Sequence, residues 1–387
     1  MDYFLTEEQK MLREMARTVA EEKIRPVAAK HDQSGEFPWE IVKTLAEMDF
    51  FRVWIEEKYG GLGGGVLDLV IVTEELSRAC GGIALALAGT ALGAFPIIIA
   101  GNDEQKARYL PRLANGEALA AFGLTEPEAG SDAEAIKTTA RKDGDCYVLN
   151  GTKHFITNGG VAKIYTVIAM TDPARGGRGA SAFIVEEGME GFSYGKKEDK
   201  MGIRASATCE LIFEDCRVPK ENLLGKEGHG FIIAMKTLDK SRPGVAAQAL
   251  GIAQGAFDLA VNYARQRHQF GQPIIAFQAV QHMLADMATQ IEAARALIYS
   301  VARYIDSGAT DIAKVSAMTK VFASDVAMKV TTDAVQIFGG YGYMREYPIE
   351  KYMRDAKITQ IYEGTNQIQR NVIGRSLIRE SAKHARA

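Results

Sequence analysis

Four short segments combine residue types that can do chemistry. In Ile361-Tyr362-Glu363-Gly364-Thr365-Asn366-Gln367 a carboxylate lies between an aromatic-apolar flank and a glycine. Drawn out of water there, it would have its pKa raised toward the range useful for a general base. The competing reading of the same residues is a surface Glu in the turn that starts a helix. Leu124-Thr125-Glu126-Pro127-Glu128-Ala129-Gly130-Ser131-Asp132 sets two hydroxyls and flexible backbone just after an expected strand. The N–H groups and hydroxyls of such a turn can bond a flavin edge or a pyrophosphate; by composition alone it is a polar turn. Arg267-His268-Gln269-Phe270-Gly271 offers a planar guanidinium fork and a stacking face, and equally the cation and stop glycine of a helix C-terminus. In Gln336-Ile337-Phe338-Gly339-Gly340-Tyr341-Gly342 the glycines allow close approach to a ligand, or end a helix.

The elements that must position these segments fall into three blocks: 1–120, helical; 121–230, β-rich; 231–387, helical. Thr6 and Gln9 have capping-box spacing, with Leu5 placed as a hydrophobic staple. Met11, Leu12, Met15, Ala16 and Val19 recur at three- and four-residue steps, which predicts one buried face. The glycine-rich run 60–65 reads as a loop and does not fit the dinucleotide fingerprint. The uncharged stretch 81–101 is long enough to span a bilayer, but its glycines, Thr90 and Pro96 predict a buried helix broken near Pro96. Short β-rich runs at 146–149, 154–157, 164–170, 182–185 and 210–213 alternate with turn clusters and predict a small barrel or sandwich. Long Ala-rich runs at 244–266, 277–306 and 311–339 predict a four-helix bundle. The fold class is therefore α+β, multidomain: N-terminal helices, a middle β-domain and a C-terminal bundle.

Composition narrows the function. A formal net charge of −3 gives no overall pull toward nucleic acid or anionic membrane. The four cysteines, Cys80, Cys146, Cys209 and Cys216, form no Cys-x-x-Cys pair, and the histidines are scattered. Free thiols in a reducing compartment and no metal site are expected. The N-terminus lacks a basic n-region and apolar run, so a cytoplasmic protein without membrane insertion is expected.

Taken together and in this order, the four segments resemble the acyl-CoA dehydrogenase family, from about Leu5 to about Leu377. Thr-Glu-Pro-x-Ala-Gly-Ser-Asp and Ile-Tyr-Glu-Gly-Thr are the most specific matches. Lys153-His154-Phe155-Ile156-Thr157-Asn158-Gly159, Arg267-x-x-Phe270-Gly271, Gln278 and Met353-Arg354-Asp355-Ala356-Lys357 add to them.

The resemblance implies an FAD enzyme that dehydrogenates an acyl-CoA to the trans-2-enoyl-CoA. A base removes the α-proton while hydride leaves the β-carbon for flavin N5, and the thioester oxygen is held by the backbone N–H of the base and a ribityl hydroxyl. Glu363 matches the base. Some relatives carry the base on an early helix of the bundle; that position is Ser241 here, and serine is not a competent base. Phe122, Leu124, Thr125, Gly130, Ser131, Phe155, Ile156 and Thr157 match flavin contacts, with Phe155 standing where many relatives have Trp. Arg267, Gln269, Phe270, Gln336, Gly339 and Gly340 match residues reaching the FAD of a neighbouring subunit, and Thr365 and Gln367 match contacts near the adenosine. Ser131, Asp239, Arg242, Tyr362 and Gly364 match the CoA and thioester site. A homotetramer and an electron-transferring flavoprotein as acceptor are implied.

The segments 201–206 and 234–239 look most like the bacterial butyryl-CoA branch, and 93–110 looks like the medium-chain branch. A short- to medium-chain acyl-CoA is the expected substrate, with a branched or alicyclic acyl group as the alternative. The absence of a basic residue between Ala79 and Gly101 disfavours a dicarboxylyl substrate. An acyl-CoA oxidase is disfavoured because the chain ends about 20 residues after Gln367. A non-catalytic flavoprotein subunit is disfavoured by the intact Glu363.

Overall fold

The computed structural model describes Met1 and residues 3–384. The first block holds α1 (Glu7–Val19), α2 (Arg25–Ser34), α3 (Trp39–Glu47), α4 (Val66–Ala79), α5 (Gly81–Ala100) and α6 (Asp103–Ala114). Thr6 caps α1 in a reciprocal capping box with Gln9. The expected staple does not form. The fourth helical position is Lys10, which offers no apolar partner, and Leu5 is instead buried in the core of the C-terminal helices. The buried stripe of α1 is also narrower than its period predicts: Ala16 and Val19 are buried, while Met11 is 66% and Met15 39% exposed. A π-helical segment, Ala20–Ile24, joins α1 to α2 and rotates the face presented by the chain.

The β-block carries β1 (Ala120–Gly123), β2 (Thr139–Asp143), β3 (Cys146–Thr157), β4 (Ile164–Met170), β5 (Ala180–Glu186), β6 (Phe192–Lys197), β7 (Thr208–Pro219) and β8 (Leu223–Leu224). They form one mixed sheet in the order β6-β7-β3-β2-β4-β5-β8, with β1 parallel to β4. The runs predicted at 146–149 and 154–157 are one strand. Register shifts on β7 at Leu149/Gly151 and Lys153/Ile156 mark bulges that interrupt the alternation, which is why it reads as two strands.

The third block holds α7 (Gly230–Gln266), a short hairpin β9 (His268–Gln269) and β10 (Gln272–Pro273), α8 (Gln278–Asp306), α9 (Ala313–Phe338), α10 (Ile349–Ile358) and α11 (Asn366–His384). α7 starts well before the predicted 244 and runs through Pro243. One core joins the N-terminal helices to the sheet; a second joins α7, α8, α9 and α10 to the apolar face of α4.

α5 corrects the expected break at Pro96, for it is continuous from Gly81 to Ala100. Proline removes one helical hydrogen bond, but α5 is largely buried among α4, α7 and β1, and that packing outweighs one lost bond. Its most hydrophobic window is 72% buried inside the protein, which accounts for its apolar length. Gly93 is required where α5 crosses β1: a Cβ there would lie 2.5 Å from the Ala121 nitrogen.

Candidate active site

An open-mouthed cavity of about 170 Å³ lies where α4, α5, β1, β3, α7 and the turn before α11 meet. Leu69, Leu85, Leu92, Phe95 and Leu238 line its apolar part, and Glu363 is the one carboxylate on its wall among the described residues.

Glu363 sits in the turn that precedes α11, capped by the Thr365 hydroxyl, so the helix-start reading of its local structure holds. Tertiary packing makes it different from a surface turn. Glu363 has φ +52° and Gly364 φ +90°. A left-handed non-glycine residue needs its surroundings to hold it. Gln369 Nε2 donates to the carbonyls of Glu363 and Gly364, both at 3.1 Å. Lys320 Nζ donates to Gly364 O and to Asn366 Oδ1, both at 2.9 Å. Arg242 Nε reaches the Glu363 carbonyl at 3.5 Å. Gly364 leaves the room for this, because a Cβ would meet Gln369 Nε2 at 2.4 Å. Among the described residues, the Glu363 backbone N–H makes no hydrogen bond.

Burial pushes the Glu363 carboxyl above its ordinary pKa, opposed by the Ser241 hydrogen bond and by the charges of Arg242 and Lys320. Lys320 is fully buried, and burial takes its amine down to about 7 against the pull of Glu363. Arg242, 4% exposed, is paired with Asp239 at 2.6 Å. Tyr362 donates its hydroxyl to Gln248, whose amide donates to Gly81 O at the start of α5.

The opposite wall is β1 locked to β3. Lys153, fully buried, donates to Leu124 O at 3.0 Å and pairs with Glu126 at 2.7 Å; His154 N donates to Thr125 O. Glu126 also accepts from the backbone N–H groups of Lys137 and Thr138, closing the polar turn. Burial lowers the Lys153 amine to about 8; burial would raise Glu126, but Lys153 and those two donors outweigh it and hold the carboxyl low. The β3 bulge puts Phe155 at φ +58° with its ring 61% exposed against the edge of His154. Asn158 ties the end of β3 to Ala120 O and to Thr90 on α5.

Of the residues singled out by sequence, Phe122, Leu124, Thr125, Gly130, Phe155, Ile156, Thr157, Tyr362, Glu363 and Gly364 line this one cavity. Ser131 and Gln367 are exposed and do not line it, and Thr365 is half-buried as the helix cap. Asp239 and Arg242 form their pair against the Glu363 backbone and are not on the wall. Arg267, Gln269, Gly339 and Gly340 gather elsewhere, in a depression at the end of α7 and α9 where Arg267 stacks over Tyr341. Gln336 is exposed, and Phe270 is 92% exposed.

Sequence reasoning missed Lys320 and Gln369 altogether, and it singled out Ser241 and Lys153 without their supporting roles. It also missed Lys240, whose ammonium lies 5.4 Å from the Phe95 ring centre without lining the cavity. A lysine or glutamine inside an otherwise apolar helical stripe, as at 320 and 369, is the only signal that could have found any of them.

This wall suits a flat aromatic cofactor. It presents an exposed ring at Phe155, hydroxyls at Thr125 and Thr157 that make no hydrogen bond within the described chain, and open space around Gly130. With a single desolvated carboxylate facing it across an apolar cleft, the arrangement defines a class: an oxidoreductase that removes hydrogen from carbon. The family models described as acyl-CoA dehydrogenase N-terminal, middle and C-terminal domains match residues 6–117, 121–216 and 228–378. The chain belongs to the acyl-CoA dehydrogenase family and is an FAD-dependent dehydrogenase.

The short-chain-specific acyl-CoA dehydrogenase of Clostridium acetobutylicum is 51% identical over 98% of this chain and 100% of its own length. The butyryl-CoA dehydrogenase structure from Megasphaera elsdenii superposes with a TM-score of 0.95 at 51% identity, covering 98% of this chain and 100% of that one. A chain in a structure of the electron transferring flavoprotein of Acidaminococcus fermentans gives a TM-score of 0.96 at 54% identity, covering 98% of this chain and 100% of that one.

Proposed function

We propose that the chain dehydrogenates a short-chain acyl-CoA between its α and β carbons, with Glu363 as the base that takes the α-proton. The observation that carries this is Glu363 itself: among the described residues the one carboxylate on the wall of an apolar cavity, its pKa raised by burial, held in a left-handed turn by three side chains. A general base works best with its pKa near the working pH. The backbone N–H of Glu363, without a hydrogen bond among the described residues, is suited to hold the thioester oxygen, where charge grows as the α-proton leaves. Phe122, Leu124, Thr125, Gly130, Ser131, Phe155, Ile156 and Thr157 would hold the flavin, with Thr365 and Gln367 nearer its adenosine. Bound there, the flavin supplies the two-electron acceptor. Ser131, Asp239, Arg242, Tyr362 and Gly364 would serve the CoA thioester.

Two relatives named for short-chain or butyryl substrates support the short acyl group. The leucines and Phe95 that line the apolar part favour a neutral acyl tail. Lys240 stands on Phe95 rather than on the cavity wall, so a distal carboxylate would find no cation on that wall. The likeness to a chain described with an electron transferring flavoprotein supports that class of acceptor. The separate cluster of Arg267, Gln269, Gly339 and Gly340, with the exposed Phe270 and Gln336, is read as reaching the FAD of a second subunit in a homotetramer of the cytoplasm.

The test is anaerobic flavin bleaching with butyryl-, octanoyl-, isobutyryl-, glutaryl- and cyclohexanecarboxyl-CoA, in wild type and Glu363→Gln. Butyryl-CoA should bleach the wild type fastest. Glu363→Gln should keep its FAD and lose at least ~10²-fold in rate. Near-normal bleaching by that variant would mean another residue is the base.

A further inference from the structure

The Ser241 hydroxyl is within reach of two acceptors. Oε2 of Glu363 lies at 2.5 Å, and the Leu238 carbonyl, one turn back on α7, at 3.2 Å. A hydroxyl has one proton to donate, so it serves one acceptor fully at a time. Ser241 is buried, and a donor left unmade there would be costly. Glu363, for its part, faces an apolar cavity, where a carboxylate has few donors to replace water.

We propose that Ser241 is a positioning residue for the base: it donates to the resting Glu363 carboxylate and shifts that hydrogen bond to the Leu238 carbonyl when the carboxylate turns to the substrate. This rests on the reading of Glu363 as the base. The shift leaves no buried donor unpaired in either state, so the carboxylate is freed without stranding the hydroxyl. In the resting state the bond favours the anion, because a hydrogen bond to the charged form lowers a carboxyl pKa. In the complex the base loses that donor and becomes a stronger proton acceptor.

Other charges also face Glu363. Arg242, paired with Asp239, comes from α7 and Lys320 from α9; Tyr362 adjoins it, itself within the field of Asp355 on α10. Burial lowers Lys320 to about 7, so it too changes charge near neutral pH. All of these are present in a Ser241 variant, so a comparison with wild type isolates the hydroxyl.

The experiment is the pH profile of kcat/KM and of kcat with butyryl-CoA for wild type, Ser241→Ala and Ser241→Thr. The first quantity reports ionisations of the free enzyme, the second those of the complex. Ser241→Ala should move the acidic limb of kcat/KM to higher pH by about one unit, the scale of a hydrogen bond to a charged group. It should leave the acidic limb of kcat in place, and Ser241→Thr should restore the kcat/KM limb. An unmoved kcat/KM limb, equal movement of both limbs, or no restoration by Thr would each overturn the proposal while Glu363→Gln remains inactive. A Glu363→Gln enzyme with near-normal turnover would remove the base and this proposal with it.

Discussion

Lys320 and Gly364 are joined by a 2.9 Å hydrogen bond from a fully buried ammonium to a backbone carbonyl, across 44 residues of sequence. The bond fixes the peptide that follows the base. It also places a cation whose own pKa is depressed next to a carboxylate whose pKa is raised, so one side chain on α9 contributes to both the packing and the electrostatics of the site.

Replacement of Lys320 by Met should change how stability depends on pH. The folded-state pKa of Lys320 is about 7 against an ordinary 10.5, so between those values the unfolded chain binds more protons than the folded one. Stability from this group therefore rises as pH increases from about 7 toward about 10. The gap in Tm between wild type and Lys320→Met should widen in favour of wild type over that range. A gap independent of pH would show that Lys320 titrates normally.

Glu126→Gln should leave Lys153 buried without its counter-charge. Breaking a buried pair by removing one partner costs about 3–5 kcal/mol. The turn from Glu126 to Thr138 and the carbonyl of Leu124 are tied to the same pair, so flavin content should fall along with Tm. Unchanged flavin absorbance per protein would show that the turn holds without the pair.

Gly93→Val tests the crossing of α5 and β1. Its Cβ would press on Ala121 N at 2.5 Å and on Ala120 at 2.8 Å. Overpacking of this kind costs about 1–3 kcal/mol. Because β1 carries Phe122 and leads into Leu124 and Thr125, lower Tm should come with weaker FAD retention, read by flavin release on gel filtration.

Arg267→Ala separates the second cluster from the first. Removing the guanidinium from Tyr341 should weaken FAD retention or shift the oligomer toward smaller species in sedimentation, while Glu363 and its cavity are untouched. Unchanged flavin content and assembly would sink the assignment of this cluster to a neighbouring subunit's cofactor.

The sequence by itself determined the order of helices, β-rich block and helices, because helical and strand periods and turn residues are local properties. It also determined which segments carry chemistry, since Glu363 and the 124–132 turn are contiguous in the chain. Local signals failed where packing overrides propensity. Pro96 and Pro243 lie inside continuous helices because burial on several sides outweighs a single missing N–H. The β3 bulges hid one strand as two.

Only the tertiary structure decided what surrounds the base. Ser241, Lys320 and Gln369 come from three helices, and their bonds to the Glu363 turn depend on how α7, α9 and α11 pack. A residue's own type and neighbours can mark it as unusual for its helix face, but they do not say which partner it will meet. The raised pKa of Glu363 is likewise a property of the packed cleft, because desolvation exists only once its walls have closed.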